Sequence, residues 1–286
     1  MTNKYRKILE VNTRGRDFVI GDLHGCYERL MAFLAFVNFD PLVDRIISVG
    51  DLADRGPMSY ECYLLLNEPW FFAVQGNHEQ MIADFLLGGP YAPFCIQNGG
   101  RWVSKYAYTM NEEESKEVAR TARLSRELPL LLTVPMTNGK QFHVIHAELD
   151  SNYTLTDADL ENQEVFDEIA FEQSMDGDFI IWGRRLFYPW YGAAITPEAI
   201  AEYKEYYNKT ELGVMFGPEL SHIYCGHSVV TQPLTIGGQT NLDTGAFYSY
   251  NPERNPWAGL TATEPLTGKF WITNSEGTKE TTNVVI

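Results

Sequence analysis

Short apolar runs alternate with stretches of helical periodicity through the first ninety residues or so. Asp17-Phe-Val-Ile20 has the length and composition of a buried strand, and Leu30, Phe33, Leu34 and Val37 follow at helical spacing across 26–38. Arg45-Ile-Ile-Ser-Val49 predicts a second strand. A helix through Tyr60–Leu66 leads to a third, Phe71-Phe-Ala-Val74, and Met81, Ile82, Phe85 and Leu86 mark the next helix. Strands alternating with helices argue for βαβ units, in a sheet whose strand ends carry function.

Further along, Glu112–Leu128 predicts an exposed, charged helix, and Leu128–Val134 and Phe142–Ile145 predict strands. Residues 150–178 are acidic and poor in pattern, as expected of a loop with short helices. Thr196 is an N-cap with Pro197 at the first helical position, opening a helix to about Leu212. From Ile223 onward, β-type runs (Leu234–Ile236, Gln239–Leu242, Lys269–Thr273) alternate with Gly, Pro and Asn turns, which suggests a second, more antiparallel sheet. No linker or internal repeat interrupts the chain, so one domain over 1–286 is expected.

Composition narrows the class. The 286 residues are 44% hydrophobic and 21% charged, ordinary for a chain with a sizeable core. Acidic residues outnumber basic ones, 38 to 22, for a formal charge of −16. Such a field repels polyphosphate backbones, which argues against nucleic acid as a partner and demands local cations for any phosphate chemistry. No run approaches the roughly 20 apolar residues that span a bilayer, and the N-terminus lacks the apolar segment of a signal peptide. The cysteines (Cys26, Cys62, Cys95, Cys225) are scattered without C-x-x-C spacing. A reduced, cytoplasmic monomer away from membranes is expected.

The sharp polar residues follow the strands. Gly21-Asp22-Leu23-His24-Gly25 follows the first, Gly50-Asp51-Leu52-Ala53-Asp54-Arg55-Gly56 the second, and Gly76-Asn77-His78-Glu79 the third. Strand C-terminal ends are where ligands bind in open α/β sheets. His146 and His227 end two later strands, so four of the six histidines fall at strand ends beside Gly or near Asp. Asp, His and Asn suit a divalent metal such as Mn, Fe or Zn. A cysteine-free set argues for a catalytic centre with open positions rather than structural zinc. Taken singly, Asp22 reads as a helix cap, Asp51 and Asp54 as loop carboxylates, Asn77 as a turn residue, Arg55 as a surface cation and His146 as an interior histidine. Three glycine-flanked clusters after three successive strands make coincidence a poor account.

The motifs GDLHG, GDLADRG and GNHE, followed by two separate histidines, resemble the phosphoprotein phosphatase family of metallophosphoesterases. QNGGRW and NLDTGAF are similar to its bacteriophage lambda-type serine/threonine subgroup. The resemblance covers most of residues 15–250. It implies an α+β fold of α/β type: a calcineurin-like β-sandwich of two mixed sheets flanked by helices, here with a cap-like insertion at about 150–215. It also implies two divalent ions, Mn²⁺ before Fe or Zn. Asp22, His24 and Asp51 would hold the first ion. Asp51 would bridge to the second, completed by Asn77, His146 and His227. A hydroxide shared by the two ions would attack phosphorus in line, at the ~3.5–4 Å metal separation that suits phosphoryl chemistry. His78 would be the general acid, Asp54 its partner, and Arg55 the phosphate grip. Trp182-Gly183-Arg184 resembles the subgroup's W-x-R element, making Arg184 the second phosphate cation with Arg185 as fallback.

The chain departs from the subgroup in three respects. Gln75 stands where an arginine is expected, with Arg101 or Arg185 as replacements. Glu148 stands where Asp is expected. Additions between 147 and 215 hold Phe187-Tyr-Pro-Trp-Tyr191, Tyr203, Tyr206 and Tyr207. These aromatics read as a small satellite core in preference to a wall at the substrate entrance. His143 and His222 are expected to be structural. The activity implied is a phosphomonoesterase on phosphoserine and phosphothreonine proteins or peptides, with phosphotyrosine as a further substrate. The alternative is symmetrical hydrolysis of diadenosine tetraphosphate, disfavoured by Glu79 in GNHE. A pseudoenzyme binding module would have lost a ligand or the acid, and none is lost.

Overall fold

Period-two alternation along the strands divides their side chains between two cores, and this sets the layers of the molecule. The computed structural model describes residues 5–108, 112–149, 155–171, 179–209 and 219–286. The chain opens with β1 (Arg6–Ile8) and β2 (Asp17–Ile20), then α1 (Tyr27–Phe36), β3 (Arg45–Ser48), α2 (Ser59–Leu64), β4 (Phe71–Ala73) and α3 (Asn77–Leu87). Helices α4 (Ala92–Gln97), α5 (Arg101–Tyr108) and α6 (Glu112–Arg126) follow, then β5 (Leu131–Pro135) and β6 (Gln141–Val144). Next come α7 (Asp157–Glu161), α8 (Gln163–Phe171), α9 (Phe179–Trp182) and α10 (Pro197–Lys209). The chain closes with β7 (His222–Cys225), β8 (Leu234–Ile236), β9 (Gln239–Asn241), β10 (Leu260–Glu264), β11 (Lys269–Asn274), β12 (Gly277–Thr281) and β13 (Val284–Val285).

Two mixed sheets stack face to face. One runs β12-β11-β10-β2-β3-β4 and the other β1-β5-β6-β7-β9-β8-β13. Val19, Ile47, Val134, Phe142, Val144 and Tyr224 point between them. Their neighbours Phe18, Ile20 and Ile46 face outward, onto Leu30 and Phe33 of α1. Likewise Leu131, Ile145, Ile223 and Cys225 face outward under Leu160, Phe166, Ile180 and Tyr203. The sandwich of two mixed sheets flanked by helices agrees with the fold expected from the sequence.

Some expectations need correction. The β-type runs after Ile223 do not form one second sheet. β8 and β9 join β7 in the seven-stranded sheet, whereas β10 pairs antiparallel with β2 and carries β11 and β12 into the sheet of the early parallel strands. Phe179–Trp182 forms a single helical turn whose isoleucines pack onto the outer face of the seven-stranded sheet. Helices α4 and α5 were not expected. The N-cap at Thr196 is present, its hydroxyl accepting from Ala199 N–H at 3.2 Å. Residues 150–154, 172–178 and 210–215 of the expected insertion lie outside the described residues, as does the expected helix end at Leu212.

Candidate metal centre

The loops after β2, β3, β4, β6 and β7 converge at one end of the sandwich. Of the six non-glycine residues with positive φ among the described residues, five are here: His24, Asp51, Asp54, Arg55 and His227. Residues rarely adopt that region unless their surroundings enforce it, and such strain clusters at functional sites. Two glycines make the approach feasible. A Cβ on Gly226 would stand 2.0 Å from Asp22 Oδ1, and one on Gly76 would stand 2.4 Å from Asp51 Oδ1.

Asp51, His146 and His227 form one buried group and His24, Asp51 and His78 another, each with ligand atoms within 4.8 Å of one another. Around His146, Nδ1 meets Val49 C=O at 2.7 Å, which fixes the proton there and leaves a lone pair on Nε2. That lone pair faces His227 Nδ1 at 3.1 Å, Asn77 Oδ1 at 3.0 Å and Asp51 Oδ1 at 3.4 Å. Atoms bound to one metal at about 2.0–2.2 Å stand about 3.0–3.5 Å apart, so these four match the edges of a coordination polyhedron. His227 Nε2, also buried, has no hydrogen-bond partner among the described residues.

His24 repeats the pattern. Its Nδ1 meets Ala53 C=O at 3.0 Å, and its Nε2 lies 3.6 Å from Asp51 Oδ2 and 4.0 Å from Asp22 Oδ2. Asp22 accepts His227 N–H on both oxygens, at 3.1 and 3.2 Å. Asp51 thus offers one oxygen to each side. Burial lowers the pKa values of His24, His146 and His227, which keeps them neutral and available as ligands. Burial raises Asp22, reinforced by Asp243 and Asp51, and pushes Asp243 up to about 6. Buried carboxylates crowded this way call for cations. The donor set fits a pair of divalent ions.

His78 has a different partner. Its Nδ1 meets Asp54 Oδ2 at 2.6 Å, and the other Asp54 oxygen accepts the Trp102 indole N–H at 2.6 Å. Both members of the dyad are fully buried. Burial pulls the His78 pKa down, but the Asp51 and Asp54 carboxylates outweigh it and raise it above the ordinary value. The Arg55 guanidinium lies between two imidazoles, touching His24 Nε2 with Nη1 and reaching His78 Nε2 at 3.0 Å with Nη2.

Residues 18–231 match the model of the calcineurin-like phosphoesterase family. The chain belongs to that family. A calcineurin-like phosphoesterase is a hydrolase acting on phosphoesters, and the family uses a dinuclear metal centre. This chain is 29% identical over 234 residues to serine/threonine-protein phosphatase 2 of Salmonella typhimurium (strain LT2), an alignment spanning 82% of this chain and 89% of that protein. Over 73 residues it is 40% identical to the symmetrical bis(5'-nucleosyl)-tetraphosphatase of Actinobacillus pleuropneumoniae serotype 3, covering 25% of this chain and 27% of that one. The crystal structure of a candidate diadenosine tetraphosphatase superposes with a TM-score of 0.55 at 18% identity, over 96% of this chain and 97% of that one, a likeness of fold.

Within this phosphoesterase, Asp22, His24, Asp51, Asp54, Arg55, Asn77, His78, His146 and His227 all meet at the strand ends. Arg184 is close behind. Its Nη1 donates to His227 C=O at 2.6 Å and reaches Ser228 Oγ at 3.4 Å. Arg185 and Arg101 are exposed, and Gln75 turns away to donate to Ser125 C=O at 2.9 Å. Glu148 is buried and accepts Leu186 N–H, which pins the turn that presents Arg184. The expected satellite core is present in Phe187, Trp190 and Tyr203, while Tyr188 and Tyr191 of the same segment are exposed.

Three residues were not among the expected site residues. Trp102 holds Asp54. Glu79 accepts the N–H groups of Asp51, Leu52 and Gly76 at 2.7, 2.9 and 3.0 Å, fixing two motif loops with one carboxylate. Asp243 is buried beside the centre. The only sequence trace of Trp102 and Asp243 is their place inside QNGGRW and NLDTGAF.

Proposed function

We propose that the protein is a metal-dependent phosphoprotein phosphatase that hydrolyses phosphoserine and phosphothreonine esters with direct transfer to water. The observation that carries this reading is the fully buried His78–Asp54 pair beside Asp51. An alkoxide leaving group is a strong base and needs a proton as the P–O bond breaks, which a positioned imidazolium supplies. Symmetrical cleavage of a dinucleoside tetraphosphate expels a nucleoside diphosphate, a far weaker base that needs no such acid. The −16 charge points the same way.

Asp22, His24 and Asp51 would hold one ion, and Asp51, Asn77, His146 and His227 the other. Bound there, two ions such as Mn²⁺ supply Lewis acidity and a hydroxide nucleophile near neutral pH. Arg55 turns from the imidazoles onto the phosphate oxygens, where a guanidinium binds in a bidentate manner. Arg184 adds a second positive charge from the His227 side. His78 protonates the departing oxygen from Nε2, and Asp54 on Nδ1 stabilises the imidazolium until then. No residue takes the phosphoryl group covalently, so one P–O bond forms to water as the ester P–O bond breaks.

The test uses metal-stripped protein with and without Mn²⁺, on a phosphoserine peptide and on diadenosine tetraphosphate. Mn²⁺-dependent phosphate release from the peptide, with little nucleotide cleavage, is the expected result. Cleavage of the tetraphosphate alone would overturn the phosphatase reading and move the function to the relatives named for that activity.

A further inference from the structure

Two exposed tyrosines stand at the edge of the proposed phosphate site. Tyr188 is 66% and Tyr191 47% exposed, although both belong to a segment whose other aromatics, Phe187 and Trp190, are buried. Their rings stack, with centroids 6.4 Å apart and planes 27° apart. The segment is tied to the loop that carries His227. Gly192 N–H donates to Val229 C=O at 2.9 Å, and Thr231 Oγ1 donates to Ala193 C=O at 2.9 Å. Arg184 joins the two places directly. Its guanidinium donates to His227 C=O and lies 5.9 Å from the Tyr191 ring centroid.

The electrostatics agree with this placement. Burial raises the Tyr191 phenol, a hydrogen bond with Tyr248 adds to this, Arg184 lowers it and Asp243 raises it. Tyr191 therefore feels both the cation proposed to grip phosphate and a carboxylate of the centre. Tyr248 is itself backed by Trp257, at 6.4 Å between centroids. On the other side of His227, Trp182 presents its ring at 6.4 Å and nearly perpendicular, stacked in turn on Tyr91 at 5.8 Å. Solvent-facing aromatic rings beside a fixed cation cost the monomer exposed apolar area, and they suit a planar partner that stacks.

We propose that Tyr188 and Tyr191 form a subsite for a planar aromatic leaving group, so that a phenolic ester of the phosphotyrosine type gains contacts that an alkyl ester of the same peptide sequence lacks. The proposal rests on the phosphomonoesterase reading and names a substrate preference within it. Water adds to phosphorus and gives up a proton, the P–O(aryl) bond breaks, and the phenolic oxygen leaves with the proton of His78 Nε2, its ring lying against the tyrosine pair.

The test compares wild type, Y188A/Y191A and Y188F/Y191F on matched phosphotyrosine and phosphoserine peptides with Mn²⁺. Binding of phenylphosphonate, methylphosphonate and adenosine monophosphate is measured by calorimetry on the same preparations. Loss of the rings is expected to lower the phosphotyrosine-to-phosphoserine ratio of kcat/KM about tenfold, the scale of a stacked aromatic pair. It should also erase the preference for phenyl- over methylphosphonate. The phenylalanine variant should keep both within about twofold. An unchanged ratio together with an unchanged phosphonate preference in the alanine variant would overturn the subsite. Selective loss of adenosine monophosphate binding with no phenyl preference would replace it with a nucleobase site. Inactivity of the wild type on both peptides would instead count against the phosphatase reading, and the phosphonate binding would still decide the subsite.

Discussion

Two sets of histidines at opposite ends of the same sheet differ in how their protons are accounted for. At the far end, His143 Nδ1 meets Thr133 Oγ1 and its Nε2 meets Asp157 Oδ1, both at 3.0 Å. His222 Nε2 meets Thr240 Oγ1 at 2.7 Å. Asp157 there also accepts Gln141 Nε2, Ser221 N–H and Ser221 Oγ. Each of these ring nitrogens faces a group that can complete a hydrogen bond. At the centre, His146 Nε2 faces another imidazole, an amide oxygen and a carboxylate. There, lone pairs meet lone pairs. A cleft of about 1000 Å³ lined by Met136, Phe142, His222 and Tyr224 opens at the far end. A roomy cleft whose polar groups are all matched offers little chemistry, whereas the unmatched lone pairs of the centre call for a cation.

Removing Asp51 is the strongest way to break the contrast, because it serves both ligand groups. Asp51→Asn is expected to reduce bound metal from about two ions to none in elemental analysis, with turnover below detection. An active variant with two ions would sink the bridging assignment. His78→Asn should lower turnover of a phosphoserine peptide by roughly 10²–10⁴-fold, the usual scale for a general acid, while metal content stays. Trp102→Phe keeps the ring and removes the N–H to Asp54. It should cost about tenfold on the same peptide, the scale of one hydrogen bond to a charged group, and little on p-nitrophenyl phosphate, whose leaving group needs no proton. Equal losses on both substrates would give Trp102 a packing role only.

The far end should respond in stability and hardly in rate. Burial raises the Asp157 pKa, but hydrogen bonds from His143, Ser221 and Gln141 outweigh that and hold it below the ordinary carboxylate value. A carboxyl lowered on folding stabilises the protein above its unfolded pKa of about 3.9, and the effect fades as pH falls through the folded value. Asp157→Asn should therefore cost about 1–2 kcal/mol at pH 7 in urea titrations, a figure reduced for partial exposure. The gap should narrow below about pH 4, with turnover within twofold of wild type. A gap independent of pH would show that shape, and not charge, matters at this position.

Legibility in the sequence follows the range of the contacts. Asp22 and His24, Asp51 to Arg55, and Asn77 to Glu79 lie in three short motifs whose glycines and flanking strands fix their placement locally. Trp102 meets Asp54 across 48 positions, through two helices, α4 and α5, whose course no local pattern announced. The sheet assignment failed for the same reason. The β8–β9 and β10–β11 hairpins are both antiparallel, and only distant partners, β7 for one and β2 for the other, decide which sheet each enters.

The pairing of β2 with β10 also governs when the molecule can be finished. Asp17–Ile20 emerges from the ribosome some 240 residues before its neighbour Leu260–Glu264. At about 5–20 residues per second, on the order of ten seconds or more separate them. During that interval β2 exposes an unpaired edge, and Asp22 lacks the backbone N–H of His227 that holds it. Pairings this distant in sequence fold slowly. The early motifs therefore belong to a site completed late, and a newly made chain has no catalytic centre until the His227 loop is in place.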